Sequence, residues 1–289
     1  MDVVLETSGL TKRYGRTEAL RGCDLSLAGG KVTGLVGPNG AGKTTLLNIA
    51  VGLHRPSSGR IRVLGLDPSR DAVALLARVG FVAQDPLHQG FTVAETLEIG
   101  RRLNPRWDHA YALARVKHFA LPLDRPVRSL STGQRAQLAL TLALGKRPDV
   151  LLLDEPVANL DPVARLELLE ELMGVVAENG PSVILSSNVL ADVERVCEYV
   201  VILVDGRVRI SGDADQLVRS HVVVSGPRRS AGEPVDDGEV IEVRHAERQT
   251  TRLLRGHAAA SQDGTEVRQA TLEEIVVGYL RSEREEVSK

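Results

Sequence analysis

The stretch that decides the fold is Val32-Thr33-Gly34-Leu35-Val36-Gly37-Pro38-Asn39-Gly40-Ala41-Gly42-Lys43-Thr44-Thr45. A short β-branched run ends in glycine, and a helical pattern opens at Lys43. Gly37 to Thr44 fits G-x-x-x-x-G-K-[ST]. Its glycines let backbone N–H groups turn inward and cradle phosphate oxygens with no Cβ in the way. Lys43 can reach β- and γ-phosphates, and Thr44 can ligate Mg²⁺. The loop leads from a strand into a helix whose positive end faces the anion. Every residue from Gly37 to Thr45 is a candidate nucleotide contact.

A second anchor is Val150-Leu151-Leu152-Leu153-Asp154-Glu155. Four apolar residues in a row read as a strand buried on both faces, and it ends in two carboxylates. Asp154 stands where it can hold Mg²⁺ through water, and Glu155 where it can polarise an attacking water. By itself an acidic pair after a strand also reads as a helix cap. Its distance downstream of the phosphate loop gives it weight.

Further out, Ser182–Leu185 and Val200–Val204 repeat the buried-strand pattern. Helical patterns lie over Asp71–Arg78, Val93–Leu103, Thr132–Leu144, Val163–Ala177 and Ala191–Cys197. Such alternation predicts an α/β domain around a mostly parallel sheet. Asp2–Thr7 and Arg60–Leu64 are expected to form an extra antiparallel layer. Composition changes after His221, and Gly226–Gly238 reads as a linker. Beyond it, Glu239–Val243 and Thr250–Leu254 alternate like half-buried strands, and Leu272–Arg281 like a closing amphipathic helix. The expected division is residues 1–220 as the main domain, with a helical subdomain near 85–148, and 221–289 as a small α+β appendage. A structural cap without chemistry is an equal reading of that appendage.

Composition removes several classes of function. The formal net charge is −2 over 289 residues. A nucleic-acid binder usually carries a basic excess, because phosphate neutralisation supplies most of its affinity. Aromatics are only 3%, too few for base-stacking platforms. No uncharged apolar run approaches the roughly 18 residues of a membrane span. Met1-Asp2 opens without the basic n-region of a secretory signal. Cys23 and Cys197 lack metal-ligand spacing and read as two buried thiols.

Between the two anchors lies Leu130-Ser131-Thr132-Gly133-Gln134, and here the chain resembles the ATP-binding subunits of ABC transporters. That family's signature is L-S-G-G-Q, with Thr132 standing at its first glycine. Ser131 is a good N-cap for the helix that follows, which makes a second helix-end anion site on one polypeptide. The resemblance covers about residues 3–215. It implies a P-loop NTPase core in which Ser131, Gly133 and Gln134 meet the γ-phosphate of an ATP held by a partner subunit. Tyr14 resembles the aromatic that stacks on adenine. Gln84, in Phe81-Val82-Ala83-Gln84-Asp85, resembles the Q-loop glutamine that reaches Mg²⁺. Asp161, in Ala158-Asn159-Leu160-Asp161, resembles the D-loop residue that crosses a dimer interface.

One departure concerns the switch histidine, whose place is taken by Asn188 in Leu185-Ser186-Ser187-Asn188-Val189-Leu190. Asn can donate a hydrogen bond but is shorter and cannot titrate. ATP binding is expected to survive and hydrolysis to slow. The resemblance further implies ATP and Mg²⁺, a head-to-tail dimer (a homodimer is expected), and a separate transmembrane subunit that meets Gln84–Tyr111. Phe91 and Trp107 are the candidate contacts there. Phe91–Leu97 is similar to bacterial exporter-type subunits, including drug-resistance systems, and the expected location is the cytoplasm, peripheral on the inner face of the cell membrane. The alternatives are a soluble ABC-type ATPase and a slowly hydrolysing regulatory module. A P-loop kinase or GTPase would lack Leu130–Gln134.

Overall fold

A computed structural model describes residues 2–84, 87–178, 180–227, 238–246, 249–256 and 265–286. The strands are β1 (Val3–Tyr14), β2 (Thr17–Ala28), β3 (Val32–Val36), β4 (Ser58–Val63), β5 (Val79–Val82), β6 (Val150–Asp154), β7 (Ser182–Ser187), β8 (Tyr199–Val204) and β9 (Arg207–Asp213). They continue with β10 (His221–Pro227), β11 (Glu239–His245), β12 (Gln249–Arg255) and β13 (Glu266–Gln269). The helices are α1 (Lys43–Ala50), α2 (Ala72–Leu76), α3 (Val93–Leu103), α4 (His109–His118), α5 (Thr132–Gly145), α6 (Pro162–Ala177), α7 (Leu190–Val196), α8 (Ala214–Arg219) and α9 (Leu272–Glu286).

The apolar runs build the central sheet, in the order β5-β6-β7-β3-β8-β9. All but β9 run parallel, and β9 returns antiparallel beside β8. Leu151, Leu152 and Leu153 of β6 are completely buried, because helices or the antiparallel layer cover both faces of the sheet. Burial of each such leucine contributes about 1.5–3 kcal/mol. Parallel pairing also fixes function. Val36 sits opposite Ser187, and Asp154 opposite Ser186. The carboxyl ends of β3, β7 and β6 are thus adjacent, where open α/β sheets bind ligands.

The antiparallel layer is β2-β1-β4, so Asp2–Thr7 and Arg60–Leu64 do become partners. The β2 strand, invisible in the apolar pattern, completes it and hydrogen-bonds the main sheet through Arg21 N–H to the Gly206 carbonyl, 2.8 Å. The expected helix over Asp71–Arg78 shortens to α2, since β5 begins at Val79. Helix α4 was not expected: Arg115, Lys117 and His118 break its apolar run, and only Ala112, Arg115 and Val116 are buried.

The third sheet is β11-β12-β10-β13, antiparallel throughout. Strands β11 and β12 and helix α9 follow the patterns read at Glu239–Val243, Thr250–Leu254 and Leu272–Arg281, whereas β10 and β13 were not expected. Ile275, Val276 and Tyr279 of α9 pack into the same buried cluster as Val200 and Ile202 of the main sheet. Strand β10 reaches Pro227, inside the expected linker; residues 228–237 of that linker, and Asp85 beside Gln84, lie outside the described residues. Among the described residues, no helix is long and apolar enough to cross a membrane.

Candidate functional site

The loop after β3 is shaped by close approach. A Cβ on Gly37 would strike the Leu203 carbonyl oxygen at the end of β8. Gly42 has φ +104, and a Cβ there would come 2.5 Å from the Ala19 carbonyl oxygen. A side chain is excluded at both, so the pattern's glycines are steric requirements. Helix α1 then starts with no side-chain cap and no acid in its first turn. Its N-terminal N–H groups are left for an anion. By contrast α3, α5 and α6 are capped by Thr92, Ser131 and Asp161. The uncapped α1 therefore fits a phosphate.

Lys43 is 4% exposed. Its Nζ donates to the carbonyls of Gly37 at 2.7 Å and Pro38 at 3.2 Å, and lies 3.4 Å from Glu155 Oε1. Thr44 Oγ1 donates to Asp154 Oδ1 at 3.1 Å. Ser186 Oγ donates to the same oxygen at 2.8 Å and accepts from the Glu155 N–H at 2.9 Å. Glu155 itself adopts φ +48, a left-handed conformation uncommon for a residue with a side chain. Asn188 Nδ2 reaches Asn39 Oδ1 at 3.4 Å. One side of the molecule thus unites Asn39, Lys43, Thr44, Asp154, Glu155 and Asn188.

Among the described residues, no cluster of three or more His, Cys, Asp or Glu could hold a metal alone. One carboxylate beside one hydroxyl is instead a fit for Mg²⁺, which keeps waters and shares substrate phosphates.

Gln84 joins Glu155 in a cleft of about 370 Å³ that also touches Thr132, Arg135 and Asn159. Ser131, Gly133, Gln134 and Asp161 line a different cleft, of about 510 Å³. No described residue of the phosphate loop lines it. Ser131 and Gln134 form a reciprocal capping box there, at 3.0 and 3.1 Å. Asp161 Oδ1 accepts from the N–H groups of Val163 and Ala164, both at 3.0 Å. Tyr14 stands apart at the β1–β2 turn, 42% exposed, edge-on to His54 and beneath Lys12. Phe91 lies in an apolar groove of about 430 Å³ with Leu53, Leu76 and Ile99. Trp107 is half-buried and packs between Gly100 of α3 and Gly145 of α5.

Sequence reasoning missed Ser186, whose hydroxyl ties both carboxylate positions together. It also missed Asn39 as the neighbour of Asn188. A buried serine at the end of an apolar strand was the available signal for the first.

A parallel sheet, an uncapped phosphate loop and a carboxylate pair at neighbouring strand ends define a nucleoside-triphosphate-binding ATPase cassette. Comparison with known proteins makes this specific. Residues 20–158 match the model of the ABC transporter family. The chain is 35% identical over 228 residues to the Nod factor export ATP-binding protein I of Ralstonia nicotianae, covering 76% of this chain and 70% of that protein. It is 37% identical over 222 residues to the daunorubicin resistance ATP-binding protein DrrA3 of Streptomyces coeruleorubidus, covering 75% and 70%. Among solved structures it is similar to a dimeric post-hydrolysis ATP-binding cassette bound to ADP and Pi, with TM-score 0.65, 25% identity, and coverage of 72% of this chain and 98% of that one. The chain belongs to the ABC transporter family and is one of its ATP-binding, ATP-hydrolysing subunits.

Proposed function

We propose that this chain powers export through a separate transmembrane subunit by closing head to tail with a second copy around two ATP molecules. One observation carries the reading: Lys43, Thr44, Asp154 and Glu155 converge at one site, while Ser131, Gly133, Gln134 and Asp161 line another cleft of the same chain. Two half-sites on one polypeptide are completed when a second copy faces the first. The names of the similar proteins, Nod factor export and daunorubicin resistance, support the direction.

In this reading Gly37, Pro38, Asn39, Gly40, Ala41, Gly42 and Thr45 bind phosphate together with Lys43 and Thr44. Tyr14 stacks on the adenine. Thr44, Asp154 and Gln84 would hold Mg²⁺, which would supply charge neutralisation on the phosphates. Glu155 orients and polarises the attacking water, and Asn188 donates to the γ-phosphate. The water oxygen bonds to the γ-phosphorus as the bond to the β–γ bridging oxygen breaks, giving ADP and phosphate. Ser131, Gly133 and Gln134 grip the γ-phosphate bound by the other copy, and Asp161 lies across the interface. Cleavage removes the group that bridges the halves, and the dimer opens.

The membrane subunit docks along the Phe91 groove, whose Leu53 and Ile99 are 63% and 37% exposed. In this reading the protein sits on the inner face of the cell membrane. Residues 1–220, with their helical subdomain near 85–148, carry the chemistry, and residues 221–289 are an addition to it.

Steady-state ATPase assays of the wild type and Glu155→Gln, each purified from its native host, test this function. The expected result is hydrolysis lost in Glu155→Gln, with a multi-span membrane protein co-purifying in both cases. Undiminished hydrolysis, or a chain that purifies without any membrane partner, contradicts it.

A further inference from the structure

Two charged groups behind the site take no part in the scheme above. Asp192, in the first turn of α7, is 4% exposed. Arg165, in the first turn of α6, places Nη2 3.3 Å from Asp192 Oδ2. That oxygen and Arg165 Nε are buried without a hydrogen-bond partner. Burial pushes the Asp192 carboxyl up, against the pull of Arg165. With Asp192 buried, Arg165 half-buried and both carrying unsatisfied atoms, the pair is weak at stabilising the fold, because desolvation offsets much of the attraction. A contribution other than stability is therefore to be sought.

Each partner is fastened to one of the two loops that bracket the chemistry. On one side, Asp161 caps α6 through Val163 and Ala164, and Arg165 N–H donates to the Asp161 carbonyl at 2.9 Å. Arg165 is thus one turn from the residue that caps α6. On the other side, Ser187 Oγ donates to the Val189 carbonyl and accepts from the Val189 N–H, both at 3.0 Å, closing a tight loop around Asn188. Helix α7 follows at once, has no side-chain cap, and carries Asp192. Among the described residues, the path Asp161–α6–Arg165–Asp192–α7–Asn188 is continuous, and the ion pair is its one step from side chain to side chain.

We propose that the Arg165–Asp192 pair is a positioning device that couples the placement of Asp161 to the placement of Asn188, and so sets the hydrolysis rate without touching nucleotide. The inference rests on the reading that Asn188 faces the γ-phosphate and Asp161 meets the second copy. When closure displaces the N-terminus of α6, the pair carries α7 and its loop along. Without the pair, ATP still binds, but Asn188 no longer follows the partner's approach.

The test uses the full chain and five variants: Arg165→Leu, Asp192→Leu, the double Leu variant, Asp192→Glu and Glu155→Gln. Nucleotide-binding stoichiometry counts folded sites, so each kcat refers to competent protein. Each single Leu variant is expected to lower kcat about tenfold, the scale of a small misplacement of a reacting group, with KM for ATP within about twofold. The double variant is expected to be no slower than the slower single one, and Asp192→Glu to recover most of the rate. Unchanged kcat per binding site, a parallel loss of ATP affinity, or losses that multiply in the double variant would overturn the proposal. Glu155→Gln separates the two levels of argument. If it is inactive while the Leu variants run at the wild-type rate, only the coupling role fails; if it hydrolyses normally, the site reading fails and the coupling role falls with it.

Discussion

Lys43 Nζ lies 3.4 Å from Glu155 Oε1, with the lysine side chain 4% and the glutamate 11% exposed. The residue expected to grip phosphate is thereby paired with the residue expected to activate water. A triphosphate entering the loop competes with Glu155 for Lys43. Under the proposed roles, binding and release of the general base would be one event, the carboxylate becoming free to act on water as the phosphate takes over the cation. This ordering follows from a single shared charge.

Replacing Lys43 with Ala removes that cation and its charge-assisted contacts to phosphate, worth about 1.5–3 kcal/mol for hydrogen bonds to charged groups. Calorimetric titration should show ATP affinity falling roughly ten- to a hundredfold. An affinity within about twofold of wild type would show that the loop binds through backbone alone.

Ser186 is completely buried and serves Asp154 Oδ1 and the Glu155 N–H together. Ser186→Ala leaves that amide and that oxygen short of a partner, at a cost of about 1–3 kcal/mol in urea unfolding. The kcat should fall as well, because Glu155 holds its unusual φ +48 with help from this hydroxyl. A variant with wild-type stability and rate would remove Ser186 from the account.

Asn188 reaches Asn39 at 3.4 Å and presents a short neutral amide where a ring nitrogen is expected. Asn188→His should raise the steady-state ATPase rate by about a hundredfold, the low end of what a positioned acid–base group supplies. It should also introduce a dependence on pH near the imidazole's range. A rate that is unchanged or lower contradicts this reading of the position.

His221 joins α8, β10 and α9. It is completely buried, with Nδ1 2.8 Å from the Leu217 carbonyl and Nε2 3.1 Å from Tyr279 Oη. Burial pushes its pKa below the ordinary 6.5, although the Leu217 bond and the charge of Glu239 pull it up; Arg255 acts with burial. The unfolded chain therefore binds the proton first as pH falls, so stability declines below about pH 6.5 and levels off below the folded value. Urea midpoints of wild type and His221→Gln at several pH values measure this. The variant should lack that part of the decline; identical pH profiles would contradict it.

What could be read from the chain alone follows the range of the forces involved. The phosphate loop, β6 and its carboxylates were legible because each is a contiguous pattern in which every residue answers to one local requirement. Helix α4 was not, since its buried face is Ala112, Arg115 and Val116, and a buried arginine reads as surface. The structure places that arginine against Glu171 of α6 and Thr141 of α5. Strand β2 was missed because its alternation is broken by Arg21, Gly22 and Asp24, and its pairing with β1 shifts register there. The grouping of Asn188 with Asn39, and of Ser186 with Asp154, depends on parallel register between strands far apart in sequence. The family resemblance ordered the motifs; only the folded sheet shows which of them share a face.

The account stands most directly on two clefts per chain being completed by a second copy. Sedimentation of purified Glu155→Gln with Mg²⁺ and ATP, compared with the same protein without nucleotide, measures this. The account predicts a nucleotide-dependent dimer, abolished by a bulky Ser131→Arg in the second cleft. A protein that binds ATP yet sediments as a monomer at every concentration, alone and with its membrane partner, would contradict it.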